Sequence, residues 1–406
     1  MPPLSFCYDL SPKDPSLQEK GAGNMNIVVA IDSFKGCLSS LEAGEAARNG
    51  LLARDPSAQV RVFPLADGGE GTVEALTAGL GGSIEHVAVT GPLGEPIESR
   101  YGYLPKTQTA VIEMADAAGL PMVPTEKRNP LRTTTYGVGE LIRAAAHRGC
   151  RRFIIGIGGS ATNDCGLGML SALGVRFQKT DGSPAGITGG DLGDVAVIDL
   201  AALDGAVREA AFSIACDVTN PLCGKNGCSA VYGPQKGATP EIVTRMDADI
   251  RHFAEIAGRA TGVAAMDRAG AGAAGGLGFA FSAFLGGSLV PGGALILSAI
   301  PAIREALARA DLLITGEGCM DEQSAMGKAP VAVAALAKKC RPACRTVALC
   351  GGAKRGAEAV NAAGIDAFFP ILSMPMALDK AMHPATAREN LARTARQVLG
   401  LLAPCR

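Results

Sequence analysis

Carboxylates recur beside glycines at three points where short apolar runs end. Asn26–Ile31 leads into Asp32-Ser33-Phe34-Lys35-Gly36, and a second run leads into Asp67-Gly68-Gly69-Glu70-Gly71-Thr72. A late run, Asp311–Thr315, leads into Gly316-Glu317-Gly318-Cys319-Met320-Asp321. In open α/β sheets ligands sit beyond the carboxyl ends of the strands. One such Asp could be a solvated turn residue, but three such loops at one sheet end describe an acidic, metal-binding cleft. A fourth segment runs from Phe153 through Gly156-Ile-Gly-Gly-Ser-Ala-Thr-Asn-Asp164, with Gly166 and Gly168 beyond. A buried strand entering glycines and hydroxyls before an apolar helix makes an anion cradle from backbone N–H groups. Asp217-Val-Thr-Asn-Pro221 follows the run Phe212–Cys216 and suits magnesium, which takes one or two carboxylates and keeps several waters. Gly233-Pro-Gln-Lys236-Gly237 adds a lysine.

Other signals fail their context. Gly327-Lys328 is followed by Ala329, so no Gly-x-x-x-x-Gly-Lys-Ser/Thr phosphate loop exists. Gly156-x-Gly158-x-x-Ala161 matches the weak dinucleotide fingerprint and keeps a nicotinamide-dependent oxidoreductase of a small hydroxy acid as an alternative. Gly270-Ala-Gly-Ala-Ala-Gly275-Gly276 spells the fingerprint literally, yet no strand precedes it; helix packing and ligand closure are equally good readings. His86, His147, His252 and His383 show no ligand or triad spacing.

These loops need a frame. Ser39-Ser40-Leu41-Glu42 has the form of a capping box; Val60–Leu65 reads as a second strand and Thr72–Ala78 as a second helix. The alternation returns with strand Asp311–Thr315, helix Pro330–Lys339, strand Thr346–Cys350, helix Gly356–Ala363 and strand Ile365–Ile371. Between them, Ile84–Thr90, Ile97–Tyr103 and Thr109–Glu113 are strands joined by short turns, which forces antiparallel pairing. The expected fold class is therefore α/β: a parallel-sheet domain built from both chain ends (25–83 plus 290–400), interrupted by an inserted mixed-sheet domain (84–289).

Composition narrows the function. The chain has 406 residues, 48% hydrophobic, with 53 Gly and a net charge of −1. No basic run is dense enough to follow a nucleic-acid backbone. The twelve Cys are spread without a CxxC and read as reduced, mostly buried hydrophobes. Residues 1–24 lack the order of a signal peptide and read as a disordered tail, or as the product of a misplaced start codon, before Met25; a cytoplasmic location is expected. The charge-free stretch from Ala269 to Ile303 is broken by Gly286-Gly287 and Pro291-Gly292-Gly293, which suits a buried glycine-rich core and no membrane span.

Taken in order, seven blocks spell a family. They are Asp32-Ser-Phe-Lys-Gly36, Ala66-Asp-Gly-Gly-Glu-Gly-Thr72, Lys127-Arg-Asn-Pro130, Gly156-Ile-Gly-Gly-Ser-Ala-Thr-Asn-Asp164, Cys216-Asp-Val-Thr-Asn-Pro221, Gly233-Pro-Gln-Lys-Gly237 and Thr315-Gly-Glu-Gly318. The chain thus resembles the bacterial glycerate kinases from Met25 to about residue 400. The resemblance implies two domains with the site in the cleft between them, a flavodoxin-like parallel domain, ATP and Mg²⁺ as cosubstrates, D-glycerate as acceptor and 2-phosphoglycerate as the usual product. A non-catalytic glycerate sensor is the second alternative, and a homo-oligomer is compatible with all of these. Phosphoryl transfer is mostly positioning and charge neutralisation. The expected roles are Lys35 and Arg128 on the substrate carboxylate, Ser33 and Glu70 beside them, Asp67 at the attacking hydroxyl and Lys236 on transition-state charge. Gly158, Gly159, Ser160, Thr162, Asn163, Gly275 and Gly276 would hold the nucleotide, and Asp164 with Asp217 the magnesium. Cys319, Cys165 and Asn129 depart from the family pattern, which has Arg, Gly and often Asp there.

Overall fold

In the computed structural model, which describes residues 24–402, the first apolar run forms β1 (Asn26–Ile31). Its residues Ile27 to Ile31 are at most 2% exposed, as expected of a parallel strand covered on both faces. The tail expected over 1–24 lies, apart from Asn24, outside the described residues. Ser39 caps the helix Ser40–Arg54 in the capping box expected there, its hydroxyl accepting from Glu42 N while its own N–H donates to the Glu42 carboxylate. β2 (Gln59–Val62) is shorter than expected. Phe63 N still donates to Val29 O, but Pro64 has no N–H, and the ladder stops there. The helix Thr72–Leu80 follows.

The antiparallel run expected next is present as β3 (Ser83–Thr90), β4 (Pro96–Leu104) and β5 (Thr109–Glu113). β6 (Arg152–Gly156) then pairs parallel with β5, β7 (Ala211–Ala215) with β6, and β8 (Ser288–Val290) with β7. The result is a mixed six-stranded sheet in the order β8-β7-β6-β5-β4-β3. A separate hairpin joins Arg176–Gln178 to Val197–Asp199.

β9 (Leu312–Met320), β10 (Arg345–Ala353) and β11 (Ala367–Pro370) complete a parallel five-stranded sheet in the order β11-β10-β9-β1-β2. The fold class is the α/β arrangement expected. β9 continues five residues past the expected end because Glu317, Cys319 and Met320 pair across to Cys350, Gly352 and Ala353. The helix Ala329–Cys340 carries Pro330 in its first turn, where its missing N–H costs nothing. The helix expected over 356–363 is a single turn, Ala359–Ala362.

The charge-free stretch folds inward. Leu277, Phe279, Phe281 and Ile296 are fully buried, in the helices Ala273–Phe284 and Gly292–Ala299. Among the described residues no helix is long and apolar enough to cross a membrane. One core cluster joins the sheets: Val28, Ala30 and Leu313 of the first pack with Val111, Ile154 and Ala215 of the second. The strand-end loops of both sheets therefore meet.

Candidate active site

A cleft of about 720 Å³ opens where they meet. Lys35, Asp67 and Glu70 line it from the five-stranded sheet; Gly158, Gly159, Ser160, Asp217 and Lys236 line it from the six-stranded one. A smaller cavity of about 390 Å³ adjoins, lined by Ser33 and sharing Lys35 and Glu70 with the first. Nine of the fifteen expected site residues thus reach one of two neighbouring cavities.

Glycine makes the meeting close. Gly68 has φ +87°, and a Cβ there would stand 2.2 Å from Ala215 Cβ. A Cβ on Gly156 would stand 1.9 Å from Gly68 O. The first glycine of the fingerprint-like loop is therefore required by protein backbone from the other sheet. The loop is fixed further by Leu120 N donating to Gly159 O and Ala161 N donating to Ala118 O, at 2.8 and 2.9 Å.

Lys236 supplies the positive charge here. It is 2% exposed, and its Nζ donates to Ser160 Oγ at 2.7 Å and Thr162 O at 2.6 Å. Burial lowers its pKa to about 8, partly opposed by Cys228 and Asp164. Both Lys236 and Ser160 line the cleft, beside Gly158 and Gly159.

The opposite side is acidic. Asp67 Oδ1 accepts from Gly69 N at 2.9 Å, and Oδ2 is 4.0 Å from Lys35 Nζ. Asp217 accepts from Gly292 N at 2.8 Å. Burial raises the pKa of Asp217, with the Asp67 charge adding to the effect and Lys328 and Lys35 offsetting it. Asp32 is pushed up to about 8 by burial and then by Asp67. Glu317 is raised by burial, with Asp321 and Asp67 adding. Four carboxylates therefore feel one another's charge, with Lys35 and Lys328 among them. Among the described residues no three His, Cys, Asp or Glu side chains are grouped so as to hold a metal ion by themselves. Hard carboxylate oxygens with excess negative charge do fit Mg²⁺, which completes its shell with water and phosphate.

Six expected residues do not line either cavity. Asp164 is fully buried, its carboxylate accepting from Thr135 N, Thr135 Oγ1, Gly168 N and Gly166 N. With its oxygens engaged by four donors it braces the loop, and the structure does not bring it to Asp217. Asn163 is turned inward, donating to Ser229 Oγ, and Thr162 is enclosed beside it. Gly275 and Gly276, both left-handed, interrupt the helix that begins at Ala273. Cβ atoms on them would stand 2.1 Å from Thr162 O and 2.8 Å from Cys165 Sγ, so they pack against the loop. Arg128 donates to Val123 O, and its own carbonyl fills the space beside Gly237.

The departures from the family pattern have visible settings. Cys165 has φ +50°, a left-handed conformation in which glycine is unstrained. Asn129 Oδ1 accepts from Leu131 N, turn work that an Asp does equally. Cys319 is exposed on β9. The other described cysteines are all buried or half-buried, and all ten are free.

Three charged residues of the larger cleft were missed, Arg100, Glu113 and Asp116. Arg100 lines both cavities and pairs with Glu74 and Asp116. Glu113 lines the larger one and is pushed up to about 7, chiefly by burial. Glu113 ends an expected strand, so the strand-end rule would have found it. Arg100 lies mid-strand on β4, and Asp116 just beyond β5; neither carries a sequence signal.

Comparison with known proteins agrees with this geometry. Residues 27–403 match the model of the glycerate kinase family. The chain is 46% identical over 374 residues to a glycerate kinase of Bacillus subtilis, covering 92% of this chain and 97% of the relative. It is 43% identical over 379 residues to a glycerate 2-kinase of Escherichia coli, covering 93% and 98%. A crystal structure from Salmonella typhimurium LT2, carrying a provisional glycerate kinase 2 name, superposes with a TM-score of 0.85 at 44% identity, covering 94% of this chain and 98% of that one.

Proposed function

The chain belongs to the glycerate kinase family, and from that premise we propose that it transfers the γ-phosphoryl group of ATP to D-glycerate, giving 2-phosphoglycerate. The observation that carries this reading is one cleft with two chemically opposite walls: Lys236 and Ser160 with the glycine loop on one side, Asp67 and Asp217 on the other. The two sheets act as the cores of two domains, divided near residues 83 and 290.

The polyphosphate lies along Gly158, Gly159 and Ser160, where Lys236 offsets charge that builds up on the transferred group. Glycerate enters from the smaller cavity, its carboxylate near Lys35 and its hydroxyls near Ser33 and Glu70. Asp67 takes the proton from the attacking hydroxyl; its hydrogen bond from Gly69 N and the nearby Lys35 fix the carboxylate. Mg²⁺, held on the acidic wall, would neutralise phosphate charge.

The oxidoreductase alternative loses its support at Gly156, whose missing side chain is accounted for by Gly68 O. A non-catalytic sensor is separated by turnover. The test is a phosphorus NMR spectrum of the product from D-glycerate, ATP and Mg²⁺. The expected result is 2-phosphoglycerate, formed roughly 10²-fold or more slowly by Asp67→Asn. A 3-phosphoglycerate signal would reassign the acceptor hydroxyl, and no phosphorylated glycerate would reject the reaction.

A further inference from the structure

Asp32 and Glu317 line neither cavity, but both are enclosed and both feel the charge of Asp67 on the acidic wall. β1 and β9 are parallel neighbours that pair Ile31 with Gly316, and Asp32 N donates to Gly316 O at 2.8 Å. The next residues stand side by side: Asp32 just past the end of β1, and Glu317 still within β9 and paired with Cys350. They are 5% and 8% exposed. Glu317 Oε2 is 3.7 Å from Lys328 Nζ, too far for a hydrogen bond, and Glu317 Oε1 is enclosed with no hydrogen-bond partner. Asp32 accepts from Ser33 N on Oδ1. Two other enclosed oxygens without partners belong to the adjoining residues: Ser33 Oγ, next to Asp32, and Thr315 Oγ1, two positions before Glu317 on the same face of β9. Fully ionised, Asp32, Asp67, Asp217 and Glu317 would set four negative charges against two positive ones on Lys35 and Lys328, before Asp321 is counted, and burial opposes that state.

Buried carboxylate oxygens without donors are stable only when a cation or a proton meets them. Two carboxylates flanked by hydroxyls, where no three His, Cys, Asp or Glu side chains among the described residues are grouped to hold a metal by themselves, suit a cation that keeps waters and takes phosphate oxygens as its remaining ligands. We infer that Asp32 and Glu317 form the protein's half of a divalent-cation seat, which the phosphates of the bound nucleotide complete. Asp67 and Asp217 line the cleft itself and act there on the reacting groups, while Asp164, closed by four donors, takes no part. This assignment deepens the kinase reading and rests on it.

Mn²⁺ reports on the seat without turnover. Free Mn²⁺ is followed by electron paramagnetic resonance as it is titrated into the full chain with saturating ADP, and ADP affinity is measured calorimetrically without metal. Asp32→Asn and Glu317→Gln are each expected to weaken Mn²⁺ binding by about tenfold or more, with metal-free ADP affinity within about threefold of wild type. Asp217→Asn is expected to stay within about threefold for Mn²⁺. Both substitutions are near-isosteric and remove buried charge, and circular dichroism checks that each variant folds. If one does not, the other decides. Mn²⁺ binding near wild type in the folded variants, or a loss confined to Asp217→Asn, overturns the seat. Turnover is scored separately: normal phosphoryl transfer with unaltered Mn²⁺ binding rejects the seat alone. Absent transfer by the wild-type protein, with Mn²⁺ binding lost in the variants, rejects the reaction and keeps the seat.

Discussion

At Lys236, folding and the proposed catalytic role meet in a single residue. Its ammonium is enclosed with two oxygen acceptors and no carboxylate in hydrogen-bond contact, so burial holds its pKa near 8, below the ordinary 10.5. The folded protein therefore binds that proton less tightly than the unfolded chain does. Below pH 8 the charge weighs against folding in full, and the penalty is relieved as pH rises from about 8 to 10.5. Catalysis runs the other way, because the proposed role needs the charged form. The expected outcome is that kcat/KM for ATP falls as pH rises through about 8. Lys236→Met should abolish that limb and lower the rate at pH 7, while raising stability there by on the order of 1 kcal/mol. Rate profiles and denaturation midpoints on the two proteins check both halves; a pH limb that survives in Lys236→Met would remove Lys236 from the chemistry.

At the scale of elements, the loop after β2 works because it can touch the ends of β6 and β7. Gly68 carries two separate requirements, a left-handed backbone at φ +87° and an empty Cβ position 2.2 Å from Ala215 Cβ. Gly68→Ala should meet a conformational cost of ~1–2 kcal/mol and an overpacking cost of ~1–3 kcal/mol. Adding Ala215→Gly removes the overlap and leaves the backbone cost, so the double variant should recover part of the stability and not all. Urea unfolding of the three proteins separates the two terms, and equal midpoints for single and double variants would show that Ala215 is not the obstacle. The loop after β6 handles the same problem differently. Cys165 adopts the left-handed conformation of a glycine, and its sulfur lies where Gly276 leaves room.

On the scale of the whole molecule, the two sheets share one hydrophobic cluster, in which Val28 and Leu313 meet Val111 and Ala215. Apolar surface common to both cannot be exposed on one side alone. Calorimetric unfolding is therefore expected as one cooperative transition, shifted upward by ADP with Mg²⁺ by mass action on the folded state. Two resolved transitions, with only one of them moved by ligand, would mean that the sheets unfold as separate units.

Local chemistry in the sequence determined the strands, their alternation with helices, and the carboxylates and glycines at their ends. An apolar run of β1's kind, a capping box at Ser39 and a Pro in a first helical turn each act over a few residues, so they are readable in order. The family's blocks were readable for the same reason, being contiguous. Tertiary structure decided which of these residues face the cleft. Asp32, Asp67 and Asp164 are alike as short carboxylates beside loops. Yet Asp164 is folded inward onto four donors supplied by residues 135, 166 and 168, whereas Asp67 lines the cleft and Asp32 accepts from Ser33 N on one oxygen. Arg100 reached the site because antiparallel pairing carried a mid-strand residue to its edge. Whether a carboxylate braces a loop or awaits a cation depends on donors distant in the chain, and only the folded backbone brings them within hydrogen-bonding distance.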